Sequence, residues 1–201
     1  MPTLVDSYLN GVFPWPESDD LPILWFCPDP RGILRFERLH VSRSLRRTLK
    51  RRIYEIRFDT AFEKVIGYCR SSVRKEQSGT WITPRMESAY IELHREGIAH
   101  SVEAYTDNHL VGGVYGVYLN NVFSGESMFH LRPDASKVAL VTLLRTLSRA
   151  GVPWIDTQMI TPVVESLGGE LLPRDDYFQL VAMNRQQPNI HWSDIQKVLL
   201  Q

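Results

Sequence analysis

The chain has 201 residues, of which 43% are hydrophobic and 23% are charged, a composition typical of a soluble globular protein with a full hydrophobic core. No apolar run reaches the ~20 residues that a membrane-spanning helix needs. The N-terminus also lacks the basic region and apolar core of a secretion signal. We therefore predict a cytoplasmic protein that does not bind membranes.

The cysteines and histidines show no spacing that indicates a metal centre. Cys27 and Cys69 are isolated in the sequence, and the six histidines lack the short repeats that bind zinc on one helix face. Isolated cysteines also fit a reducing compartment. We expect no metal, no cofactor and a monomeric protein.

A strongly basic segment, residues 43 to 52, stands out in a chain whose net charge is zero: it holds six basic residues and no acid. As a helix it would carry an apolar stripe on one side (Val41, Leu45, Leu49 and Ile53) and a basic stripe on the other (Arg43, Arg46, Arg47, Lys50 and Arg51). Like charges at these spacings repel. An unmixed basic stripe therefore indicates a polyanion such as a phosphate backbone, with a merely solvated face as the alternative.

The first elements of the chain are rich in aromatic residues and helix breakers. Residues 8 to 16 are predicted to be an irregular, ordered segment, and residues 25 to 32 a turn followed by a short strand at 33–36. Packing between a small N-terminal unit and the main body is the favoured explanation of both aromatic patches. We place that unit at residues 1–36, with a boundary that extends to about 58 in the widest reading, and the main domain at 37–201.

The middle of the chain alternates between helical and strand patterns. A strand is predicted at 54–58, a helix at 60–70, and a second helix that begins with Thr83 and Pro84 and ends at Gly97. The apolar stripe of the second helix is Met86, Ala89, Tyr90 and Leu93. Three antiparallel strands then follow at 100–105, 110–118 and 122–126, and Glu126 ends the last one, where a glutamate is usually solvated.

Three glycines in the second of these strands, Gly112, Gly113 and Gly116, indicate a bulge or a bulky group packed against the backbone. The chain then enters a helix from Asp134, as its cap, to Ala150. Further helices are predicted at 162–167 and at 192–199. Between them, Leu171-Leu172-Pro173 leads into another helix, which runs through Met183.

A strand at 155–158 places Asp156 and Gln158 on the same face. Burial of a carboxylate and a carboxamide is costly unless they bind something, and an edge strand with its polar face in water is the alternative. The order of meander, helix and strand predicts an α+β fold with a GNAT-like mixed sheet flanked by helices, plus a small N-terminal α/β subdomain. Residues 131–137 have no glycine and contain Pro133, so we do not expect acetyl-CoA as a donor.

Many short motifs of the chain resemble one family, the leucyl/phenylalanyl-tRNA-protein transferases. The motifs are Gly11-Val12-Phe13-Pro14-Trp15, Trp25 with Pro28-Asp29-Pro30-Arg31, His40-Val41-Ser42-Arg43-Ser44, Gly79-Thr80-Trp81-Ile82-Thr83, Ala99-His100-Ser101, Leu110-Val111-Gly112-Gly113, Tyr115-Gly116-Val117, Phe123 with Gly125-Glu126-Ser127-Met128-Phe129, Ala135-Ser136-Lys137, Ile155-Asp156 with Gln158, and Ser166-Leu167-Gly168. The family pattern has a longer segment ahead of Tyr8, and Val114 and Thr157 depart from it.

The resemblance implies an enzyme that transfers Leu or Phe, with Met as a further donor amino acid, from aminoacyl-tRNA to proteins with N-terminal Arg or Lys, which marks them for N-degron-dependent degradation. The basic stripe would then bind the tRNA backbone. The implied site residues are Phe123, Met128 and Ile155 for the aminoacyl side chain, Tyr8, Trp15 and Trp81 for the 3′-terminal adenosine, and Asp156, Gln158 and Glu126 for catalysis.

In this scheme Asp156 and Gln158 orient the acceptor α-amine, and Glu126 adds negative charge that favours a basic N-terminal residue. A carboxamide is a very weak base, so the proton is expected to leave through Asp156, water or a ribose hydroxyl. Two alternatives remain open: a transferase with a different acceptor, either an acidic N-terminus or a peptidoglycan precursor, and an RNA-binding module without catalysis.

Overall fold

The computed structural model describes residues 2–72 and 80–199, so Ser78 and Gly79, ahead of Trp81, lie outside the described residues. The helices and strands in chain order are α1 Pro2–Leu9, β1 Phe13–Trp15, β2 Leu24–Phe26, β3 Arg31–Arg35, α2 Arg43–Arg51, β4 Glu55–Phe58, α3 Phe62–Ser71, α4 Pro84–Arg95, β5 Ala99–Thr106, β6 His109–Leu119, β7 Val122–His130, α5 Ala135–Arg149, β8 Trp154–Gln158, α6 Pro162–Ser166, β9 Glu170–Leu172, α7 Arg174–Arg185 and α8 Trp192–Leu199. No helix in the described ranges is long and apolar enough to cross a membrane.

A seven-stranded sheet organises the molecule, with the strand order β4-β5-β6-β7-β8-β3-β9. The predicted meander forms β5, β6 and β7, and their neighbours pair antiparallel. The exception is the parallel pair β7 and β8, which is limited to Phe123 with Ile155 and Ser124 with Asp156. The fold is therefore a mixed α+β arrangement around a mostly antiparallel sheet.

Helices cover both faces of this sheet. On one face α5 packs in a core with α2 and α8, which contribute Leu45 and Ile195. On the other face α1, α3 and α4 form a second core, and α7 covers β3 and β8 through Tyr177. Because side chains alternate along a strand, neighbouring residues of β8 serve different cores.

The basic segment is the helix that its spacing predicts. Ser42 caps it by accepting a hydrogen bond from the backbone N–H of Leu45. Val41 and Leu45 are buried, as expected for the apolar stripe. Ile53 does not belong to that stripe, because the helix ends at Arg51 and the Ile53 side chain is 49% exposed.

The N-terminal region is more regular than the sequence predicts. Tyr8 lies in the last turn of α1, and Phe13–Trp15 pairs with Leu24–Phe26 as a hairpin, so the prediction of an irregular segment at residues 8 to 16 is wrong. Strand β3 pairs with β8 and β9, which places residues 31–35 in the main sheet. The division of the chain at residue 36 stays a prediction.

Two details of the meander and its following helix also differ from expectation. Strand β7 continues past Glu126 to His130, so Glu126 lies within the strand. Asp134 precedes α5 in a left-handed conformation, and its carboxylate accepts from the Thr48 hydroxyl and pairs with Lys137 instead of capping the helix. Strand β9 was not predicted, because three residues carry too little periodicity.

The strand glycines have the close neighbours that were expected. A Cβ at Gly112 would lie 2.6 Å from the Cβ of Ala135 in α5. The pairing of β6 and β7 also shifts next to Gly116. Glycine thus lets the sheet and α5 approach closely where β6 passes beneath the helix.

Candidate active site

Strand β8 places Asp156 and Gln158 inside the protein. It lies between β7 and β3, and the two side chains are 1% and 5% exposed. The alternative of a solvated edge strand is therefore wrong. A buried carboxylate and carboxamide need partners, and the structure provides them.

Irregular pairing on both strands aims the polar side chains at one another. In β7, Tyr115 pairs with Ser127 and Gly116 with Gly125, which leaves Glu126 as the extra residue of a bulge. In β8 the register shifts around Thr157, and Gln158 has a left-handed φ of 63°. Bulges redirect side chains and are common beside active sites.

A continuous chain of hydrogen bonds runs through this position. The Tyr8 and Tyr90 hydroxyls lie 2.6 Å apart, and the Tyr90 hydroxyl donates to Glu126 Oε2 over 3.1 Å. Gln158 Nε2 donates to Glu126 Oε1 over 2.6 Å. The backbone N–H of Gln158 donates to Asp156 Oδ1 over 2.9 Å. The three predicted catalytic residues therefore form one connected cluster.

Asp156 is also held from its other side. The Arg31 guanidinium makes two parallel bonds to it, Nε to Oδ1 over 2.9 Å and Nη2 to Oδ2 over 2.6 Å. The Tyr177 and Ser124 hydroxyls donate to Oδ2 over 3.0 and 3.4 Å. This geometry leaves the Asp156 carboxylate charge-balanced and surrounded by donors.

Glu126 has a different electrostatic environment. Burial raises the pKa of Glu126 to about 7, against the lowering effect of its hydrogen bonds with Tyr8 and Tyr90. Among the described residues no arginine, lysine or histidine forms an ion pair with it. A lone glutamate in a strand is usually solvated, whereas Glu126 is half-buried and both oxygens of its carboxylate accept hydrogen bonds.

The predicted adenosine-binding aromatics meet on one side of this cluster. Trp15 and Trp81 stack with ring centroids 6.0 Å apart, and Trp81 also packs edge-on against Tyr90 at 6.2 Å. Both tryptophans are half-buried. Tyr8 is only 8% exposed and its hydroxyl is bonded to Tyr90, so it joins the cluster, and its predicted contact with the adenosine stays a prediction.

The residues predicted for the aminoacyl pocket lie on the opposite face of the sheet. Phe123 and Ile155 are almost fully buried in the core beside α5, and Met128 packs against that core. They pack in the core on that face, whereas the Glu126 and Gln158 side chains bond each other.

The basic stripe is open to solvent. Arg43, Arg46, Arg47, Lys50 and Arg51 are all exposed. Arg46 donates to the Val41 carbonyl through Nε. No ion pair with an acid is formed by these five within the ranges that the structure describes, so their charge is available to a polyanion.

A group with metal-binding residue types lies elsewhere, where the end of β4, the last turn of α4 and the start of β5 meet. Ligand atoms of Asp59, His94 and His100 lie within 4.8 Å of one another. Their polar atoms already serve the fold: Asp59 Oδ2 accepts from Trp192 Nε1, and His94 Nδ1 contacts the Ala99 carbonyl. The expectation of no metal stays a prediction.

Sequence patterns missed three members of the site, Arg31, Tyr90 and Tyr177. Tyr90 was assigned to the apolar stripe of α4, which is correct for its ring but not for its hydroxyl. Arg31 is the first residue of β3, and Ile33 and Leu34 of that strand are buried. An arginine in a strand with buried aliphatic residues is a signal for a buried carboxylate partner.

Comparison with known proteins places the chain in a family. The family model described as leucyl/phenylalanyl-tRNA protein transferase matches residues 33–182, and the model for the N-terminal domain of the same family matches residues 1–29. The leucyl/phenylalanyl-tRNA–protein transferase of Myxococcus xanthus is 48% identical over 185 residues, which cover 92% of this chain and 79% of the relative. The protein of the same name from Aromatoleum aromaticum is 52% identical over 171 residues, covering 85% and 71%.

Among solved structures, one titled "The structure of L-PGS from Bacillus licheniformis" aligns with a TM-score of 0.45 and 14% identity, over 66% of this chain and 45% of that one. The GNAT-like classification stays a prediction. The sequence matches do establish membership: the chain belongs to the leucyl/phenylalanyl-tRNA protein transferase family.

Proposed function

We propose that this protein transfers Leu or Phe from aminoacyl-tRNA to the α-amine of proteins that begin with Arg or Lys, and thereby marks them for N-degron-dependent degradation. Family membership supports the donor and the reaction. The observation that carries the proposal is a connected cluster of two buried residues, Asp156 and Gln158, with the half-buried Glu126, beside a pair of stacked tryptophans. A merely structural β8 would place aliphatic side chains at these positions.

The reaction is aminolysis of an ester. The α-amine nitrogen attacks the aminoacyl carbonyl, the C–N bond forms, the bond to the ribose oxygen breaks, and the amine proton ends on that oxygen directly or through a relay. Since the ester is already activated, positioning of the amine supplies much of the rate. An α-amine has a pKa of ~7.7–8.0 and must be neutral to attack.

Gln158 is the residue best placed to orient the amine. Its Nε2 donates to Glu126, which fixes the carboxamide plane and directs Oε1 to accept from an incoming N–H. Its burial leaves little water to compete for that hydrogen bond. Gln158 therefore acts in this proposal as an orienting group and not as a base.

Acceptor selectivity comes from charge. Asp156 is neutralised by Arg31, whereas the donors to Glu126 among the described residues are neutral: the tyrosine hydroxyls beside it and the Gln158 carboxamide. Ionised Glu126 thus provides the uncompensated negative charge of the cluster. A cationic N-terminal residue balances it, and an acidic one is repelled.

The donor is held at three places in this proposal. The basic stripe of α2 contacts backbone phosphates, Trp15 and Trp81 stack with the 3′-terminal adenosine, and the aminoacyl side chain enters between β7 and β8 toward Phe123, Met128 and Ile155. Backbone contacts of this kind are salt-sensitive, while stacking tolerates any base.

The test is transfer of radiolabelled leucine from Leu-tRNA to peptides that begin with Arg, Lys or Asp, with a peptidoglycan precursor as a fourth acceptor. We expect labelling of the Arg and Lys peptides alone, reduced at least 100-fold by Gln158→Ala or Asp156→Ala. Gln196→Ala is the matched control, because Gln196 lies on α8 and donates to Asp59, outside the cluster.

The outcomes separate the competing functions. Labelling of the Asp peptide or of the precursor would show that the enzyme uses a different class of acceptor. Tight binding of Leu-tRNA without transfer to any acceptor would favour an RNA-binding module. Equal labelling by wild type and the Gln158 variant would show that the cluster takes no part in catalysis.

A further inference from the structure

Arg31 makes an unusually enclosed ion pair with Asp156. Both side chains are 1% exposed. The guanidinium carbon lies 4.8 Å from the Phe13 ring centroid and 4.7 Å from that of Tyr177, so the group is held between two aromatic faces. Arg31 therefore joins the β1–β2 hairpin, α7 and β8 at a single point.

Both carboxylate oxygens of Asp156 are occupied by donors. Oδ1 accepts from Arg31 Nε and from the Gln158 backbone N–H, and Oδ2 accepts from Arg31 Nη2 and the hydroxyls of Tyr177 and Ser124. A carboxylate offers about four lone-pair positions. An incoming amine therefore finds no free acceptor on Asp156, which removes Asp156 as a direct acceptor of the amine proton.

The backbone at Gln158 requires this support. Its left-handed φ of 63° is strained for a residue with a side chain. The Asp156 carboxylate compensates by binding the Gln158 N–H, and in that conformation the carboxamide reaches Glu126. The order of contact is Arg31 to Asp156 to Gln158 to Glu126.

We propose that Arg31 is a positioning residue for the transfer reaction, one that locks Asp156 as the anchor of the Gln158 backbone and so aims the carboxamide at the acceptor amine. This inference rests on the proposed function. A buried ion pair is often no more stabilising than an apolar pair of similar volume. We therefore assign the pair a role in positioning, and Tyr177 contacts both members of it.

The experiment compares steady-state kinetics of wild type, Arg31→Lys and the double variant Arg31→Met/Asp156→Asn. The double variant removes both charges while the asparagine Oδ1 still accepts the Gln158 N–H, so it avoids an unpaired buried charge and keeps a melting temperature near that of wild type. Lysine keeps the charge but cannot make two parallel bonds. The matched control is Arg57→Met, since Arg57 also makes two bonds to a carboxylate, Glu55, and lies over a ring, Tyr105.

We expect kcat to fall at least 30-fold in the double variant and at least 10-fold in Arg31→Lys, with the KM for Arg-peptide and for Leu-tRNA changed less than threefold. The shape of the pH profile of Arg31→Lys should match wild type at a lower plateau. The Arg57 control should keep wild-type kcat. A purely structural role would lower the melting temperature and the active fraction without this split.

A folded double variant with kcat within threefold of wild type would overturn the positioning role. So would an Arg31→Lys variant with wild-type kcat and a displaced acidic limb, which would identify Asp156 as the proton acceptor. Wild-type protein that transfers no label rejects the proposed function itself, and the same assay reports this independently.

Discussion

Gln158 Nε2 lies 2.6 Å from Glu126 Oε1, and this hydrogen bond joins strands β7 and β8 beyond the last residues that pair between them. Two residues that are distant in sequence therefore act as one unit. We therefore expect a change of charge at Glu126 to affect the carboxamide of Gln158, and the pH dependence of transfer should report it.

Transfer to an Arg-peptide should rise with pH through the pKa of Glu126, about 7, because the ionised carboxylate attracts the cationic acceptor. Glu126→Gln should lose this dependence, keep the later rise from deprotonation of the α-amine, and discriminate less between Arg and uncharged N-termini. The measurement is kcat/KM from pH 5.5 to 9 for peptides beginning with Arg and Ala. An unchanged Arg/Ala ratio in the variant would remove Glu126 from acceptor selection.

The raised pKa of Glu126 also predicts a stability effect. A carboxyl whose pKa is higher in the folded state stabilises most below the unfolded value of ~4.3 and loses that contribution as pH rises through about 7. Glu126→Gln should therefore gain stability relative to wild type between pH 5 and 8, by roughly 1–3 kcal/mol at the upper end. Urea unfolding of both proteins at pH 5 and pH 8 measures the difference in their free energies of unfolding. A difference that does not change with pH would contradict the raised pKa of Glu126.

Gly32→Ala should impair transfer. A Cβ at Gly32 would lie 2.7 Å from the carbonyl carbon of Met159, so the backbone that follows Gln158 must move. We expect kcat to fall about tenfold or more, in line with misplaced catalytic groups. Gly67→Ala in α3 is the control, because its Cβ meets only Glu87 Oε1 at 3.5 Å. Wild-type kcat in Gly32→Ala would show that the site tolerates the shift.

Trp15→Leu and Trp81→Leu should weaken donor binding specifically. Loss of a stacking ring costs ~1–3 kcal/mol per base, or about 5- to 150-fold in affinity. The expected effect is a higher KM for Leu-tRNA with an unchanged KM for the Arg-peptide. Trp25→Leu is the control, since Trp25 is 38% exposed on β2. Equal effects of all three variants on Leu-tRNA would argue for general destabilisation.

The basic stripe should determine the salt dependence of tRNA binding. Replacement of Arg43, Arg47, Lys50 and Arg51 by Gln should reduce the slope of log affinity against log salt by up to about 3, since each phosphate contact contributes ~0.7–0.9. The control replaces Arg70 and Arg95, which pair with Glu87 and Glu63 on the other face of the sheet. Fluorescence anisotropy at 50–300 mM salt measures both slopes, and identical slopes would exclude α2 from the interface.

The sequence determined the elements whose signals are local. The i, i+3, i+4 spacing of bases identified α2, the Thr83-Pro84 pair identified the start of α4, and period-two alternation identified the meander. The motifs also indicated the family before any contact was known. All of these depend on residues within a few positions of one another, which is the range over which backbone geometry fixes the pattern.

Only the tertiary structure decided how the site works. A bulge and a left-handed residue, not simple alternation, bring the backbone N–H of Gln158 to the Asp156 carboxylate and its side chain to Glu126. Arg31 meets Asp156 across 125 residues, and Tyr90 meets Glu126 across 36. Such contacts leave no periodic trace in the sequence, because strand order and helix packing set them. The same packing half-buries Glu126 and surrounds the Asp156 carboxylate with donors, which is the basis for proposing Asp156 as an anchor.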